Sequence, residues 1–289
     1  MATPFSKRTL TAFLFFPLLA VLAEFAAAAA PVLLPRVLDT FPHNPGHFTQ
    51  GLAFHRDLLI ESSGLYGASL LAVKDPVSGE ILREKRLPAS VFAEGCAVAG
   101  EYIVLLSWRE ETAFILASGT LEEKARFFYP GEGWGLAYDG ERLIRSDGTD
   151  TLYFHAPPDT RDAHGDALGS LAVRDGETAV TRLNELEWCP EEGLLLANIW
   201  LETRIAAIDP DTGQVRFWLD IADLVPGPVS ELASELAPQV VGGRMVTPDE
   251  MTANGLALAP DGKSLWLTGK CWPRMFRIAW PPEAFLQSQ

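Results

Sequence analysis

Five segments of this sequence repeat one order of residues, and this repetition is the strongest constraint on the fold. Each segment begins with a polar or acidic residue, which is usually followed by a glycine. An apolar strand, a turn rich in Gly or Asp, and further apolar strands come next. The segments begin at Gln50, Glu94, Glu132, Asn184 and Asn254. Starts roughly 40 residues apart early in the chain, and wider later, suit one four-stranded propeller blade per segment. We therefore predict an all-β fold, a five-bladed β-propeller around a central channel.

The stretches outside the repeats fit the same fold. Turns such as "YDGERL" and "DPDTGQ" place Asp, Pro and Gly between apolar runs, as strand connections require. Residues 35–41 have no blade of their own, so we expect this strand to complete the last blade and close the ring. Residues 220–251 form an insertion that holds the best helical candidate, "SELASEL". A β-sandwich is the alternative fold, but it gives no reason for the head residues to recur.

The first residues of the chain have the pattern of a secretory leader. Lys7 and Arg8 precede the apolar run "LTAFLFFPLLAVLA", and small residues follow in "EFAAAAAP". This order is typical of a signal peptide, which we expect over residues 1–30. An uncleaved membrane anchor is the alternative, although the run is short for a membrane span. We expect residues 31–289 to form a single catalytic propeller domain in the periplasm or outside the cell, with no membrane attachment after cleavage.

The charge of the chain excludes one class of partner. The formal net charge is −15, and the sequence has no basic stripe that could neutralise phosphates. We therefore expect no binding to nucleic acid. An acidic surface suits cationic small molecules, including peptides with a free amino terminus, but it also suits a protein that only needs to stay soluble.

The cysteines favour neither a metal site nor a disulfide framework. Cys96, Cys189 and Cys271 are an odd number for an oxidising compartment, and their spacing matches no zinc motif. We expect buried free thiols and no metal ligands among them.

The heads of the repeats are the candidate functional residues. In a propeller the inner strands line the channel, so residues that begin those strands are expected to meet at one end of it. The polar heads are Gln50, Glu94, Glu132, Asn184 with Glu185 and Glu187, and Asn254. Each could instead bond the backbone of the next blade and only hold the ring together. Among the aromatic residues, we predict Trp108, Trp134 and Trp200 as pocket walls and Trp218 and Trp266 as core.

Several motifs together resemble one known family. These are "HFTQGLAF", "ESSGLYGASLL", "AEGCAV", "LLSW", "GEGWGLAYDG", "SDGTDTLYF", "LNELEW", "ANIW", "IDPDTGQV", "NGLAL" and "TGKCWP". In this order they resemble the glutamine cyclotransferases, the plant and bacterial type of glutaminyl cyclase. The resemblance implies a five-bladed propeller that converts the N-terminal glutamine of peptides or proteins to pyroglutamate and releases ammonia. It also implies no catalytic zinc and no cofactor, and we expect a monomer.

The resemblance also implies roles for particular residues. Glu94 would be the catalytic carboxylate, acting as general acid and base. Lys270 would polarise the substrate carbonyl or stabilise its oxyanion, unless it forms an ion pair with Glu132 or Glu187. The residues implied around the substrate are Phe48, Gln50, Trp108, Trp134, Asn184 and Trp200.

Two other functions stay open from the sequence. The stretch "NGLALAPDG" also resembles the calcium-dependent lactonase propellers, which are hydrolases that hold a divalent cation at the channel mouth. A periplasmic propeller without enzymatic activity is the other alternative, in which the polar heads only organise the channel.

Overall fold

The computed structural model describes residues 29–157, 167–225 and 238–287, and almost all of its regular structure is β. Two short strands come first, β1 (Val32–Leu33) and β2 (Val37–Pro42). Apart from its last two residues, the predicted leader lies outside the described residues. The helical candidate "SELASEL" lies outside them as well.

Four-stranded antiparallel sheets form the first three blades. The first blade contains β3 (Thr49–His55), β4 (Leu58–Ser63), β5 (Leu70–Lys74) and β6 (Ile81–Arg86). The second contains β7 (Ala93–Ala99), β8 (Tyr102–Ser107), β9 (Thr112–Ala117) and β10 (Glu123–Phe128). The third contains β11 (Leu136–Tyr138), β12 (Leu143–Arg145), β13 (Thr151–His155) and β14 (Gly169–Ala172).

Two further sheets complete the propeller, and two small hairpins lie between the blades. A hairpin of β15 (Arg174–Asp175) and β16 (Thr178–Ala179) precedes the fourth blade. That blade contains β17 (Leu183–Cys189), β18 (Leu194–Ile199), β19 (Arg204–Ile208) and β20 (Val215–Asp220). The insertion then forms the hairpin β21 (Gln239–Val241) and β22 (Arg244–Val246) and a 3-10 helix, Pro248–Glu250. The fifth blade contains β23 (Ala253–Leu258), β24 (Ser264–Gly269) and β25 (Arg274–Ala279), before a short helix α1 (Glu283–Leu286).

The N-terminal segment closes the ring. Strand β2 pairs antiparallel with β25 and becomes the outer strand of the fifth blade. Strand β1 pairs in parallel with β20 at the outer edge of the fourth blade. The prediction that the strand near residues 35–41 completes the last blade is therefore confirmed. Because this strand precedes the first blade in the chain, its pairing joins the two ends of the ring through one sheet.

The five inner strands surround the channel in sequence order. Each of β3, β7, β11, β17 and β23 contacts the next, and β23 contacts β3. Just after each head, one inner-strand residue pairs with the second strand of its blade, namely Leu52, Cys96, Leu136, Leu186 and Leu256. The residues two places earlier are Gln50, Glu94, Trp134, Asn184 and Asn254. The head of the third blade is therefore Trp134, and our prediction of Glu132 was wrong by two residues.

Glycines after the heads let neighbouring inner strands touch through their backbones. A Cβ atom on any of three of these glycines would collide with a backbone atom of the next blade, since real Cβ contacts are longer than 3.0 Å. The distances from the added Cβ are 2.5 Å at Gly51 to Cys96 N, 2.6 Å at Gly95 to Leu136 N, and 1.9 Å at Gly135 to Asn184 O. The repeated glycine is thus required by the close approach of adjacent blades.

Apolar clusters fill the spaces between blades. Trp218 and Trp266 are buried in two of these clusters, as predicted. Cys96, Cys189 and Cys271 are buried free thiols, also as predicted. No helix in the described ranges is both long enough and apolar enough to cross a membrane.

Gly135→Ala should strongly destabilise the ring, because the added methyl group meets a carbonyl oxygen that cannot move without shifting an inner strand. We expect a loss of at least about 3 kcal/mol in the free energy of unfolding, measured by urea denaturation. Gly119→Ala is the matched control, since no atom lies within 4 Å of its added Cβ. This control should stay within about 0.5 kcal/mol of the parent protein. Equal stability of the two variants would contradict the close-approach explanation.

Candidate active site

A pocket of about 620 Å³ opens where the heads of the inner strands meet. All eight residues that the sequence analysis assigned to the site line this pocket: Phe48, Gln50, Glu94, Trp108, Trp134, Asn184, Trp200 and Lys270. Four of them, Gln50, Glu94, Trp134 and Asn184, are heads of different blades. Their side chains meet because register irregularities at the heads of β3, β7 and β17 interrupt the regular pairing there.

Glu94 is the most deeply buried acid in the pocket. Its side chain is buried, and Gln50 Nε2 donates a hydrogen bond of 3.2 Å to its Oε1. Burial holds the pKa of Glu94 well above its ordinary value, because a carboxylate loses its solvation there. The Lys270 ammonium opposes this rise in pKa, whereas the charges of Glu132 and Glu110 add to it. Glu94 is therefore protonated more readily than an exposed glutamate.

The amide of Gln50 is held from both sides. Asn254 Nδ2 donates to Gln50 Oε1 at 2.8 Å and to the carbonyl oxygen of Thr49 at 3.1 Å. Gln50 Nε2 is then the end that faces Glu94. Three blade heads, those of the fifth, first and second blades, thus form one hydrogen-bonded chain that orients the Glu94 carboxyl.

Lys270 places a buried ammonium group beside Glu94. Its Nζ lies 5.0 Å from the ring centroid of Phe48. Burial lowers the pKa of Lys270, and the nearby charge of Glu94 opposes that fall. In the described parts of the chain, Lys270 makes no ion pair with Glu132 or Glu187, which were its alternative partners. The ammonium is thus available to a ligand in the pocket.

Glu132 holds two pocket walls and does not itself line the pocket. Its Oε2 accepts hydrogen bonds from Trp108 Nε1 at 2.8 Å and from Trp134 Nε1 at 2.9 Å. Arg109 Nε donates to the other oxygen at 3.0 Å, and the Arg109 guanidinium lies 3.8 Å from the centroid of the Trp108 ring. Buried Arg145 donates to the Glu132 carbonyl oxygen. Although partial burial raises the pKa of Glu132, the hydrogen bonds from Trp134, Trp108 and Arg109 to its carboxylate outweigh this effect, and the net pKa shift is downward.

The other walls of the pocket are aromatic rings in edge-to-face contact. Trp134 and Trp200 meet with ring centroids 5.5 Å apart. Phe92 contacts Trp108 at 5.4 Å and Tyr66 at the same distance. Such pairs fix the orientation of the rings.

Asn184 is a pocket residue with an unpaired amide oxygen. The residue is buried and lines the pocket, and its Oδ1 has no hydrogen-bond partner among the described residues. That oxygen is itself buried, and an unpaired buried acceptor is unfavourable.

Several pocket residues were not assigned from the sequence. They are Leu65, Tyr66, Phe92, Leu201, Arg244, Asp249 and Glu250. The last three come from the insertion, whose hairpin turn reaches the first blade: a Cβ added at Gly242 would lie 2.4 Å from that of Ala68. Arg244 and Glu250 form an ion pair at the rim. An insertion has no counterpart in the repeats, so the repeat pattern could not place it. Phe92 had a usable signal, since it precedes the Glu94 head by two residues.

Glu185 and Glu187, which were predicted at the channel opening, serve the ring instead. Glu185 accepts backbone hydrogen bonds from Leu52 at 3.2 Å and from Leu256 at 2.9 Å. Glu187 accepts one from Leu258 at 2.6 Å. Neither glutamate lines the pocket. They therefore bridge the fourth blade to the inner strands of the first and fifth blades.

The fold and the pocket define a five-bladed β-propeller with a buried acid, a buried lysine and amide groups at one end of its channel. A family profile described as "Glutamine cyclotransferase" matches residues 11–280, and the chain belongs to this family. Members of this family are acyltransferases, so the chain is an enzyme of that class.

Two relatives agree with this assignment. The chain is 33% identical over 246 residues to the "Glutaminyl-peptide cyclotransferase" of Arabidopsis thaliana, an alignment that covers 84% of this chain and 70% of that protein. Its structure resembles the crystal structure of Myxococcus xanthus glutaminyl cyclase with a TM-score of 0.74 and 31% identity. That match covers 86% of this chain and 97% of the other.

Two substitutions should move the pKa of Glu94 in opposite directions. Lys270→Met removes the cation that favours the carboxylate, so the pKa of Glu94 should rise further. Glu132→Gln removes a like charge but keeps an oxygen for the indole donors, so the pKa of Glu94 should fall. Titration of ¹³C-labelled glutamate carboxyls by NMR measures both shifts. Shifts in the same direction would contradict the electrostatic account of this pocket.

Proposed function

We propose that this enzyme cyclises the N-terminal glutamine of peptides or proteins to pyroglutamate and releases ammonia. The observation that carries the proposal is the placement of buried Glu94 beside Lys270 in an aromatic pocket formed by blade heads. The pocket volume of about 620 Å³ suits one amino-acid side chain and the start of a peptide. The names of the Arabidopsis and Myxococcus relatives support the same reaction.

Glu94 is proposed as the general base and acid of the reaction. The substrate α-amine has a pKa near 8 in free peptides, so much of it is protonated and cannot attack at neutral pH. Glu94 binds this ammonium and accepts one proton from it, and the free amine then attacks the side-chain Cδ of the glutamine. The new N–Cδ bond closes the ring, and Glu94 passes its proton to the departing amide nitrogen as the old Cδ–Nε2 bond breaks. The lactam nitrogen loses its second proton through Glu94 to the released ammonia, which leaves as ammonium. The raised pKa of Glu94 fits these transfers.

Lys270 and Asn184 are proposed to hold the reacting amide. Attack at Cδ places negative charge on the amide oxygen, and a buried ammonium such as Lys270 stabilises this oxyanion more strongly than water does. Asn184 also lines the pocket, where its side-chain amide can hydrogen-bond the substrate amide. Gln50 acts through Glu94, since its amide fixes the orientation of that carboxyl.

The aromatic walls are proposed to fold the substrate back on itself. Both reacting groups belong to one residue, so the task of the enzyme is to select the conformer in which they meet. The side chains of Trp108, Trp134 and Trp200 give a rigid enclosure for this conformer, and Glu132 fixes two of these rings.

We also propose that the reaction needs no metal ion. The groups nearest Glu94 are an amide, an ammonium and aromatic rings, and an ammonium repels a divalent cation. Within the described ranges, no group of three or more His, Cys, Asp or Glu side chains is arranged to hold a metal.

Glu94→Gln should abolish ammonia release from a short glutaminyl peptide, with a loss of at least about 100-fold in kcat. The substituted glutamine side chain fills the same space as the glutamate but cannot exchange the proton. Ammonia is measured by a coupled assay, and thermal unfolding shows that the variant is folded. Glu187→Gln is the matched control, because burial also raises the pKa of Glu187, to about 8, although it lies outside the pocket. Full activity in Glu94→Gln would reject the assignment of Glu94.

The same assay tests metal independence. Addition of a chelator should leave the rate of ammonia release unchanged, because no proposed step uses a cation. A rate that falls with chelator and returns with a divalent metal would favour the lactonase-like type of site.

A further inference from the structure

A second buried glutamate, Glu61, lies behind the pocket on strand β4. It is fully buried and does not line the pocket. Four side chains bind its carboxylate, and each of them is buried. They are His43 Nε2 at 2.9 Å, Thr49 Oγ1 at 2.7 Å, His47 Nδ1 at 3.0 Å and Lys74 Nζ at 2.6 Å. We call Glu61 and these four residues the Glu61 cluster.

The chain alternates between this cluster and the pocket. At the entry to β3, His47 and Thr49 turn towards Glu61. The residues after each of them, Phe48 and Gln50, line the pocket. Successive side chains of an extended chain point to opposite sides, so placing His47 and Thr49 against Glu61 directs the residues between and after them to the pocket side. Glu61 therefore fixes the backbone that presents Phe48 and Gln50.

The Glu61 cluster also supports the loop that carries Lys270. The carbonyl oxygen of His47 accepts a hydrogen bond of 2.8 Å from the backbone N–H of Cys271. The Nδ1 of His43 lies 2.6 Å from the carbonyl oxygen of Trp272. Both histidines thus hold Glu61 through one group and the loop after Lys270 through another.

The blade fold itself does not require a carboxylate at this position. Glu61 pairs with Leu52, the inner-strand residue just after the head of the first blade. At the matching position the second, fourth and fifth blades have the apolar residues Leu105, Ala197 and Leu267. Only the third blade also has a charged residue there, Arg145. Arg145 holds the Glu132 carbonyl oxygen, next to the aromatic walls.

Stability alone is a weak reason to bury these groups. Removing a carboxylate and an ammonium from water is unfavourable, and apolar residues of similar size often replace buried ion pairs without loss of stability. Although burial tends to raise the pKa of Glu61, the Lys74 ammonium and the hydrogen-bonded His43 and His47 outweigh it and hold the pKa well below its ordinary value. Glu61 is therefore a carboxylate with fixed donors.

We propose that Glu61 is a positioning residue that sets the placement of Phe48, Gln50 and Lys270 in the pocket. The inference rests on the proposed function, because its effect is read through the orientation of Glu94 and the reacting amide. Loss of this carboxylate leaves every pocket side chain present but loosens the backbone that carries three of them.

Kinetics of Glu61→Gln test this proposal. Glutamine cannot accept hydrogen bonds from all four partners, so we expect kcat for ammonia release to fall about 10- to 100-fold. The KM should change less than about threefold, since the walls contributed by the other blades are unaltered. Glu187→Gln again serves as the control, because it alters a buried carboxyl of the ring without touching the Glu61 cluster. A wild-type kcat in folded Glu61→Gln would overturn the proposal.

A double-mutant cycle separates positioning from a general loss of stability. If Glu61 acts through Gln50, the effects of Glu61→Gln and Gln50→Ala on kcat should be less than additive. Additive effects would mean a merely structural role. The same would follow if kcat fell in parallel with the thermal unfolding temperature in both Glu61→Gln and Glu187→Gln. If Glu61→Gln does not fold, Thr49→Val removes one donor with little change in volume. The Thr49→Val variant should also have a lower kcat, and an unchanged kcat would reject the proposal.

Crystal structures distinguish failure of this inference from failure of the proposed function. If wild-type protein releases no ammonia, the proposed function fails, but Glu61→Gln should still displace Phe48 or Gln50 by more than about 0.5 Å. Unmoved pocket side chains in that variant would reject the positioning role, whatever the activity of the enzyme.

Discussion

The close approach of neighbouring inner strands is the constraint on which the rest of this structure depends. At Gly51, Gly95 and Gly135 the backbone of one blade lies where a Cβ atom would otherwise be. This contact draws the blade heads together at one end of the channel. The hydrogen bond between Gln50 and Glu94 joins residues 44 positions apart in the chain, and the one from Asn254 to Gln50 joins residues 204 apart. A pocket assembled from five repeats is possible only at this spacing.

Burial at that end of the channel acts on two groups in opposite senses. It raises the pKa of Glu94 and lowers the pKa of Lys270, because both charged forms lose solvation. The charge of each group partly offsets the pKa shift of the other. Glu132 completes this arrangement from outside the pocket, where three donors hold it and lower its pKa. Glu132 thus fixes two aromatic walls of the pocket that contains Glu94.

Much of the fold and of the site could be predicted from the sequence, because both follow from the repeat. The repeat predicted five blades and a closing strand, and the resemblance predicted residues that the structure gathers in one pocket. The third head was misplaced because "EGWG" contains two glycines, and only the strand register shows that Trp134 is equivalent to Glu94. Arg244 and Glu250 could not be predicted, since the insertion has no repeat. Glu61 gave no signal, because its four partners come together only in the folded chain.

The first and second blades each contain a buried glutamate, Glu61 and Glu94, and the two differ in the direction of their pKa shift. Both side chains are buried, yet burial raises the pKa of Glu94 well above its ordinary value while Lys74 and the two histidines hold that of Glu61 well below it. In the reaction that we propose, a support that titrated together with Glu94 would change the pocket with each proton transfer. Since the two pKa values are shifted in opposite directions, protonation of Glu94 does not require protonation of Glu61. We thus propose that the same residue type serves as a fixed support in β4 of the first blade and as a proton carrier in the second blade.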